Sequence, residues 1–227
     1  GDMTAERPVP HAPVVLFVGN YGSGKTEVAV NYAIHLRARG HRVRIADLDL
    51  VNPYFRCREV SETMEQAGVE VVLPEEALRH ADLPVLVPAV KGMIQQPDGI
   101  AVLDVGGDDV GATVLSSLRR FFVPGTYEML QVVNAFRPFT DTVAGVRRIG
   151  QEIEAAAGLP ITGLVANAHL MEETTVETII RGLDLARAVA TATGLSVRFV
   201  TVDEALMAAL DPAYVGDTPV LPFVRRM

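Results

Sequence analysis

Gly19-Asn20-Tyr21-Gly22-Ser23-Gly24-Lys25-Thr26 follows directly on the apolar run Val14-Val15-Leu16-Phe17-Val18. The eight residues fit G-x-x-x-x-G-K-[ST], the loop that cradles nucleotide phosphates between a strand and a helix. Glycines at 22 and 24 permit dihedrals and a closeness of approach that a β-carbon would block, so successive N–H groups can turn inward on an anion. The helix that starts near Lys25 adds its positive N-terminal end. Lys25 is then the charge that follows the β- and γ-phosphates, and it is expected to face solvent when no nucleotide is held. The Thr26 hydroxyl is the expected Mg²⁺ ligand. Gly19 to Thr26, with Glu27 just after, form the expected nucleotide-binding set. An ordinary Gly-rich turn before a helix would leave Lys25 unexplained.

Outward from the loop, apolar runs alternate with helical patterns. Glu27 to Arg39 reads as a helix stopped at Gly40, and Arg42–Asp47 as a strand. A helix from about Arg58 to Ala67 leads to the strand Glu70–Leu73. Residues 74–98, with four prolines, read as irregular with one helix near Val90–Gln95. Ile100–Asp104, Met129–Val133, Ile161–Ala166 and Val197–Val202 are strands, the last of these closing the sheet. Asp141–Ala157, Thr174–Thr193 and Glu204–Leu210 are helices. The alternation predicts one α/β domain: a doubly wound, mostly parallel sheet with helices on both faces. In such a sheet the loops after residues 18, 47, 104, 133, 166 and 202 converge on one crevice. Residues 14–227 are that domain, and 1–13 a mobile Pro-rich lead-in in which Gly1-Asp2 reads as a cloning remnant.

Composition narrows the function classes. Apolar residues make up 49% of the 227, enough for a large core, yet no run approaches the ~18 needed to cross a bilayer. No leader pattern precedes the domain, which points to a cytoplasmic protein with no membrane partner. The formal charge of −8, with 20 dispersed basic residues, argues against nucleic acid as a partner. Cys57 is the sole cysteine and the five histidines lack ligand spacing, so neither a disulfide nor a Cys/His metal cage is expected.

Polar residues at the strand ends supply the remaining chemistry. Asp104 closes an apolar strand ahead of Val105-Gly106-Gly107-Asp108-Asp109-Val110-Gly111, where a carboxylate holds Mg²⁺ directly or through water and Gly107 lets an N–H approach the γ-phosphate. Asp47 and Asp49 end the second strand; both are candidates for the magnesium shell, and Asp49 also for orienting the attacking water. Arg56, Arg58 and Lys91 are candidate transition-state cations. Neither Asn134-Ala135-Phe136-Arg137 nor Asn167-Ala168-His169-Leu170 supplies the guanine motif Asn-Lys-x-Asp, so ATP is favoured over GTP. Asn167 offers a donor and an acceptor to the adenine edge, and Asp203 is a weaker candidate.

Together these residues resemble the MinD/ParA-like P-loop ATPases, the group that includes the nitrogenase iron protein and the CobQ/CobB-type domains. The P-loop and the Asp104–Gly111 stretch carry the likeness; Asp47-Leu48-Asp49, Asn134 through Asp141, Leu164–Asn167 and Gly216-Asp217-Thr218-Pro219-Val220 match in order. The resemblance implies a slow Mg²⁺-dependent ATPase, with ATP and ADP as ligands, whose nucleotide state switches its grip on an unnamed protein client. It makes Asp108 the competitor of Asp49 as catalytic residue beside Lys25, and a homodimer a further partner. Three departures stand out. Asn20 replaces a family Lys that reaches the partner's nucleotide, Cys57 alone cannot hold an iron–sulfur cluster, and Val224-Arg225-Arg226-Met227 carries no basic amphipathic helix. Two rival readings are a small-molecule kinase or ATP-dependent ligase of the dethiobiotin-synthetase or CobB type, and a metallochaperone GTPase.

Overall fold

Short Val/Ile/Leu-rich runs buried on both faces suit a parallel sheet sandwiched between helices, and the computed structural model builds one. It describes residues 5–48, 58–72, 83–106, 109–168 and 171–224. Eight strands, β1 (Val14–Val18), β2 (Val43–Asp47), β3 (Glu70–Val71), β4 (Ile100–Asp104), β5 (Tyr127–Val133), β6 (Gly163–Ala166), β7 (Val197–Asp203) and β8 (Val220–Phe223), lie in the order β3-β2-β4-β1-β5-β6-β7-β8. Every pairing is parallel. The helices are α1 (Lys25–Ala38), α2 (Arg58–Gln66), α3 (Leu83–Gln95), α4 (Asp109–Leu118), α5 (Val143–Ala157), α6 (Val176–Thr193) and α7 (Pro212–Val215).

The winding follows from right-handed crossovers. The direction in which strands are added along the sheet changes beside β1, which has β4 on one side and β5 on the other, both parallel to it. α1 and α2 therefore cover one face, packing Val28, Tyr32, Leu36 and Met64 on Phe17, Ile45 and Val102. α3, α4 and α5 cover the other, with Val90, Met93, Val114, Leu115 and Leu118 against Leu16, Ala101, Leu103 and Met129. α6 continues that layer over β6 and β7. Under α1, Tyr32 stacks on Phe199 at 5.3 Å between ring centres and meets Phe17 edge-on at 5.3 Å. These contacts fix the helix that carries Lys25 and Thr26.

The structure corrects four sequence expectations. α3 begins at Leu83, well before the expected Val90, and takes Pro88 into its interior. A proline ring removes one helical hydrogen bond, and the side chains that follow it, Ala89, Val90, Met93 and Ile94, pack on the sheet. α4 is not among the helices read from the sequence. The strand ending at Val202 is not the last: β8 follows and pairs Val202 with Pro222, at an edge where a missing N–H is tolerated. Finally, residues 5–13 are fastened along the sheet rather than loose. Val220 N–H donates to Glu6 O, His35 Nε2 donates to Pro8 O, and Ala101 N–H donates to Pro13 O. Glu128 accepts from both His11 N–H, at 2.9 Å, and Arg198 Nε, at 2.7 Å, and this ion pair is buried.

Candidate nucleotide-binding site

β1 delivers Gly19 to the carboxyl edge of the sheet, and the chain doubles back into α1. Ser23 N–H closes the loop on Asn20 O at 3.1 Å. Gly22 and Gly24 both hold positive φ, 80° and 85°. At Gly24 a β-carbon would stand 2.3 Å from Asn167 Nδ2 and would have to push that amide aside. Beneath the loop, Asn167 is 2% exposed; its Nδ2 donates to Ser23 O at 3.0 Å and its Oδ1 accepts from Thr201 Oγ1 at 2.7 Å. The amide expected at the adenine edge thus ties the phosphate loop to β6 and β7. Asp203 caps the turn after β7, its Oδ1 accepting from Ala205 N–H at 2.9 Å.

The carboxylates assemble as their strand register dictates. Asp47 pairs with Asp104 across β2 and β4, and Asp104 with Phe17 across β4 and β1. Residues in register share a face, so both carboxylates point to the α1 side, as Phe17 does. They are 2% and 0% exposed, and Thr26 Oγ1 donates to Asp104 Oδ2 at 2.6 Å. Two carboxylates and a hydroxyl at one sheet edge are hard oxygen donors of the kind Mg²⁺ takes alongside phosphates. Among the described residues no group of three or more His, Cys, Asp or Glu gathers as a metal site, and a site completed by nucleotide oxygens does not need one. The cradle itself fits a phosphate: two left-handed glycines, a helix N-terminus behind them, and the Ser23 hydroxyl, a donor buried without a hydrogen-bond partner.

Lys25 departs from expectation. It is 6% exposed and already engaged within the protein, not solvent-facing. Glu27, on the first turn of α1, is half-buried, and Tyr21 at the loop's tip is 80% exposed. Asp49, Gly107 and Asp108 lie outside the described residues, as do Arg56 and the side chain of Arg58. Lys91 is elsewhere: its ammonium sits 4.8 Å from the Phe121 ring, where Arg120 also stacks.

Sequence reading missed the cation that does reach the loop. Arg137, exposed on the segment after β5, lies beside Gly22, its Nε 3.7 Å from where a β-carbon on that glycine would stand. That segment is held tightly. Asn134 Oδ1 accepts from Phe136 N–H at 3.0 Å, and Thr140 Oγ1 donates to Asn134 O at 2.8 Å. Phe139 holds φ of 71° with its ring exposed, a conformation that bulky residues rarely keep. The one available signal was the position of Asn134 at a strand end.

A cleft of about 420 Å³ opens on the other flank of the loop. Gly19, Asn20 and Tyr21 form one wall, Val105 and Gly106 the next, and α4 and α5 the rest.

No protein-family model and no curated protein sequence matches the chain. Solved structures do. The cell division protein FtsY of Thermotoga maritima superposes with a TM-score of 0.60 at 20% identity, over 89% of this chain and 66% of that one. Chloroplast FtsY of Physcomitrella patens gives 0.54 at 20%, over 87% and 60%. The signal recognition particle 54 kDa protein of Aeropyrum pernix, in complex with GDP, gives 0.59 at 20%, over 88% and 44%. The chain thus spans less than two thirds of the length of each. At this identity the likeness is one of fold: an all-parallel α/β sheet of the P-loop nucleotide-binding kind.

Proposed function

We propose that the chain is a Mg²⁺-dependent nucleoside triphosphatase that prefers ATP and works as a slow, nucleotide-controlled switch for a protein partner. One observation carries the reading: Thr26 and Asp104 meet at 2.6 Å at the foot of a glycine loop, where a phosphate-bound metal needs its two protein oxygens. Thr26 and Asp104 would hold Mg²⁺, with Asp47 beside them, and the ion when bound neutralises charge on the phosphates. Loop N–H groups and Lys25 bind and orient the phosphates, and Arg137 adds a cation at Gly22. Asp49 is the proposed water-orienting residue and Asp108 its competitor, with Gly107 at the γ-phosphate. The preference for ATP rests on Leu170, which stands where the guanine motif needs a carboxylate. Cytoplasmic action and a homodimer belong to the same proposal.

The cleft beside Gly19–Tyr21 favours a second reading, a small-molecule kinase or ligase with its acceptor next to the phosphates. Calorimetric titration with MgATP tests the first step. Lys25→Ala is expected to weaken binding on the order of 10²-fold with its circular dichroism unchanged; undiminished affinity would sink the assignment. In the same protein set, Asp49→Asn is expected to keep MgATP binding and lose ~10²-fold in turnover. Normal turnover of Asp49→Asn beside a dead Asp108→Asn would transfer the role to Asp108.

A further inference from the structure

We propose that the cleft between helices α5 and α6 is a second binding site, for a compact, uncharged apolar molecule that carries a single N–H or O–H donor. Its lining shares no residue with the phosphate loop or the carboxylates beside it, and the proposal stands apart from the nucleotide reading.

The site grows from one strand position. On β5, Gln131 alternates with Met129 and Val133 on one face and lies in register with Leu164 of β6. It is 3% exposed. Its Nε2 donates to Val146 O on α5 at 3.1 Å, which settles which end of the amide is which and leaves Oε1 as a free acceptor. That oxygen points at Gly150, where a β-carbon would stand 2.9 Å from it. With no side chain at 150 to cover it, Oε1 stays open. It accepts no hydrogen bond among the described residues, yet it is not one of the unpartnered atoms sealed from solvent, which are Asn20 Oδ1, Ser23 Oγ and Asp104 Oδ1.

Gln131, Gly150 and Ile161 line a cleft of about 290 Å³, walled further by Leu164, Val189 and Leu195. A dry apolar cavity of about 150 Å³ takes up benzene, so there is room here for two fused rings. The occupant must bring a donor to Oε1 at the floor. Placing that donor on an ammonium would strip a full charge of its water against one neutral oxygen, and an anion would be turned away by the partial negative charge of Oε1. The rim selects neither ion: it holds exposed Arg147 and half-buried Glu154, whose Oε2 already accepts from Ile161 N–H at 2.9 Å. A neutral N–H or O–H on an apolar body satisfies both floor and walls.

Indole is the probe and benzofuran its control, the same fused rings with an ether oxygen in place of the N–H. In ligand-observed NMR titrations of the nucleotide-free chain, indole is expected to bind at ~1 mM. Benzofuran, which leaves Oε1 without a donor, is expected to bind at least ~5-fold more weakly. A cleft that was merely apolar would rank them the other way, since benzofuran is the less polar of the two. Gln131→Met, which keeps the length of the side chain and removes the acceptor, is expected to abolish the preference. Ala192→Trp, at an exposed position on the α6 wall, is expected to block both ligands with its circular dichroism unchanged. Equal or tighter binding of benzofuran, no binding of indole up to ~10 mM, or indole binding indifferent to Ala192→Trp would overturn the proposal. If Gln131→Met fails to fold, the ligand pair and Ala192→Trp still decide it.

Discussion

Asn167 links the glycine loop to the strands beside it, through one amide. Replacing it with alanine would strand Ser23 O and Thr201 Oγ1, both now bonded to it, in a buried place. Asn167→Ala is therefore expected to lose about 2–3 kcal/mol of stability and to weaken MgATP binding, because the phosphate loop loses its anchor. Denaturant unfolding and calorimetry on the one variant check both halves; a stability loss with unchanged affinity would reduce Asn167 to a structural residue. At this scale the sequence was a good guide wherever spacing alone fixes chemistry. Gly22 and Gly24 hold positive φ, and Thr26 meets Asp104 at the strand ends. Side-chain direction was not legible, because it depends on register between strands far apart in the chain. Asn167 bonds to Ser23 O and Thr201 Oγ1, Lys25 is buried, and Arg137 reaches Gly22 from a loop 115 residues away in sequence.

Among the elements, α1 is held from above and below. His35, near its C-terminal end, donates from Nε2 to Pro8 O at 3.1 Å and so fastens residues 5–13 to the helix. Burial holds the His35 pKa below its ordinary 6.5, and Arg39, Arg7 and His41 push the same way, against the bond to Pro8. The folded form then binds fewer protons than the unfolded chain, so the stability this group contributes is present above about pH 6.5 and falls as pH drops toward the lowered value. His35→Gln is expected to flatten that part of the pH–stability curve between pH 7.5 and 5.5, read as denaturant midpoints; an unchanged slope would place the pH dependence elsewhere. Elements with strong periodicity, β1, α1, β4, α5 and α6, were legible to within a few residues. α3 was cut short because proline usually ends a helix. α4 and β8 were missed because a Gly/Ser-rich helix and a four-residue strand with a proline carry little local signal; sheet packing decides them.

Seen whole, the sheet gathers its polar strand ends on one edge, and ligand binding there should register as stability of the entire domain. MgATP at a hundred times its dissociation constant is expected to add about 2.7 kcal/mol, raising the melting temperature by roughly 5–10 °C in a domain this size. GTP at equal concentration should raise it less, and a larger rise with GTP would reverse the proposed preference. The strand order has a further consequence, for synthesis. β1 is first along the chain but central in the sheet, and Val14 pairs with Ala101 and Tyr127. A ribosome making ~5–20 residues per second needs on the order of ten seconds to travel the roughly 90 residues from Val14 to Ala101, its first partner to be made. Through that interval the apolar run before the phosphate loop has no strand to pair with, so the nascent chain is most in need of a chaperone just after its most recognisable motif has emerged.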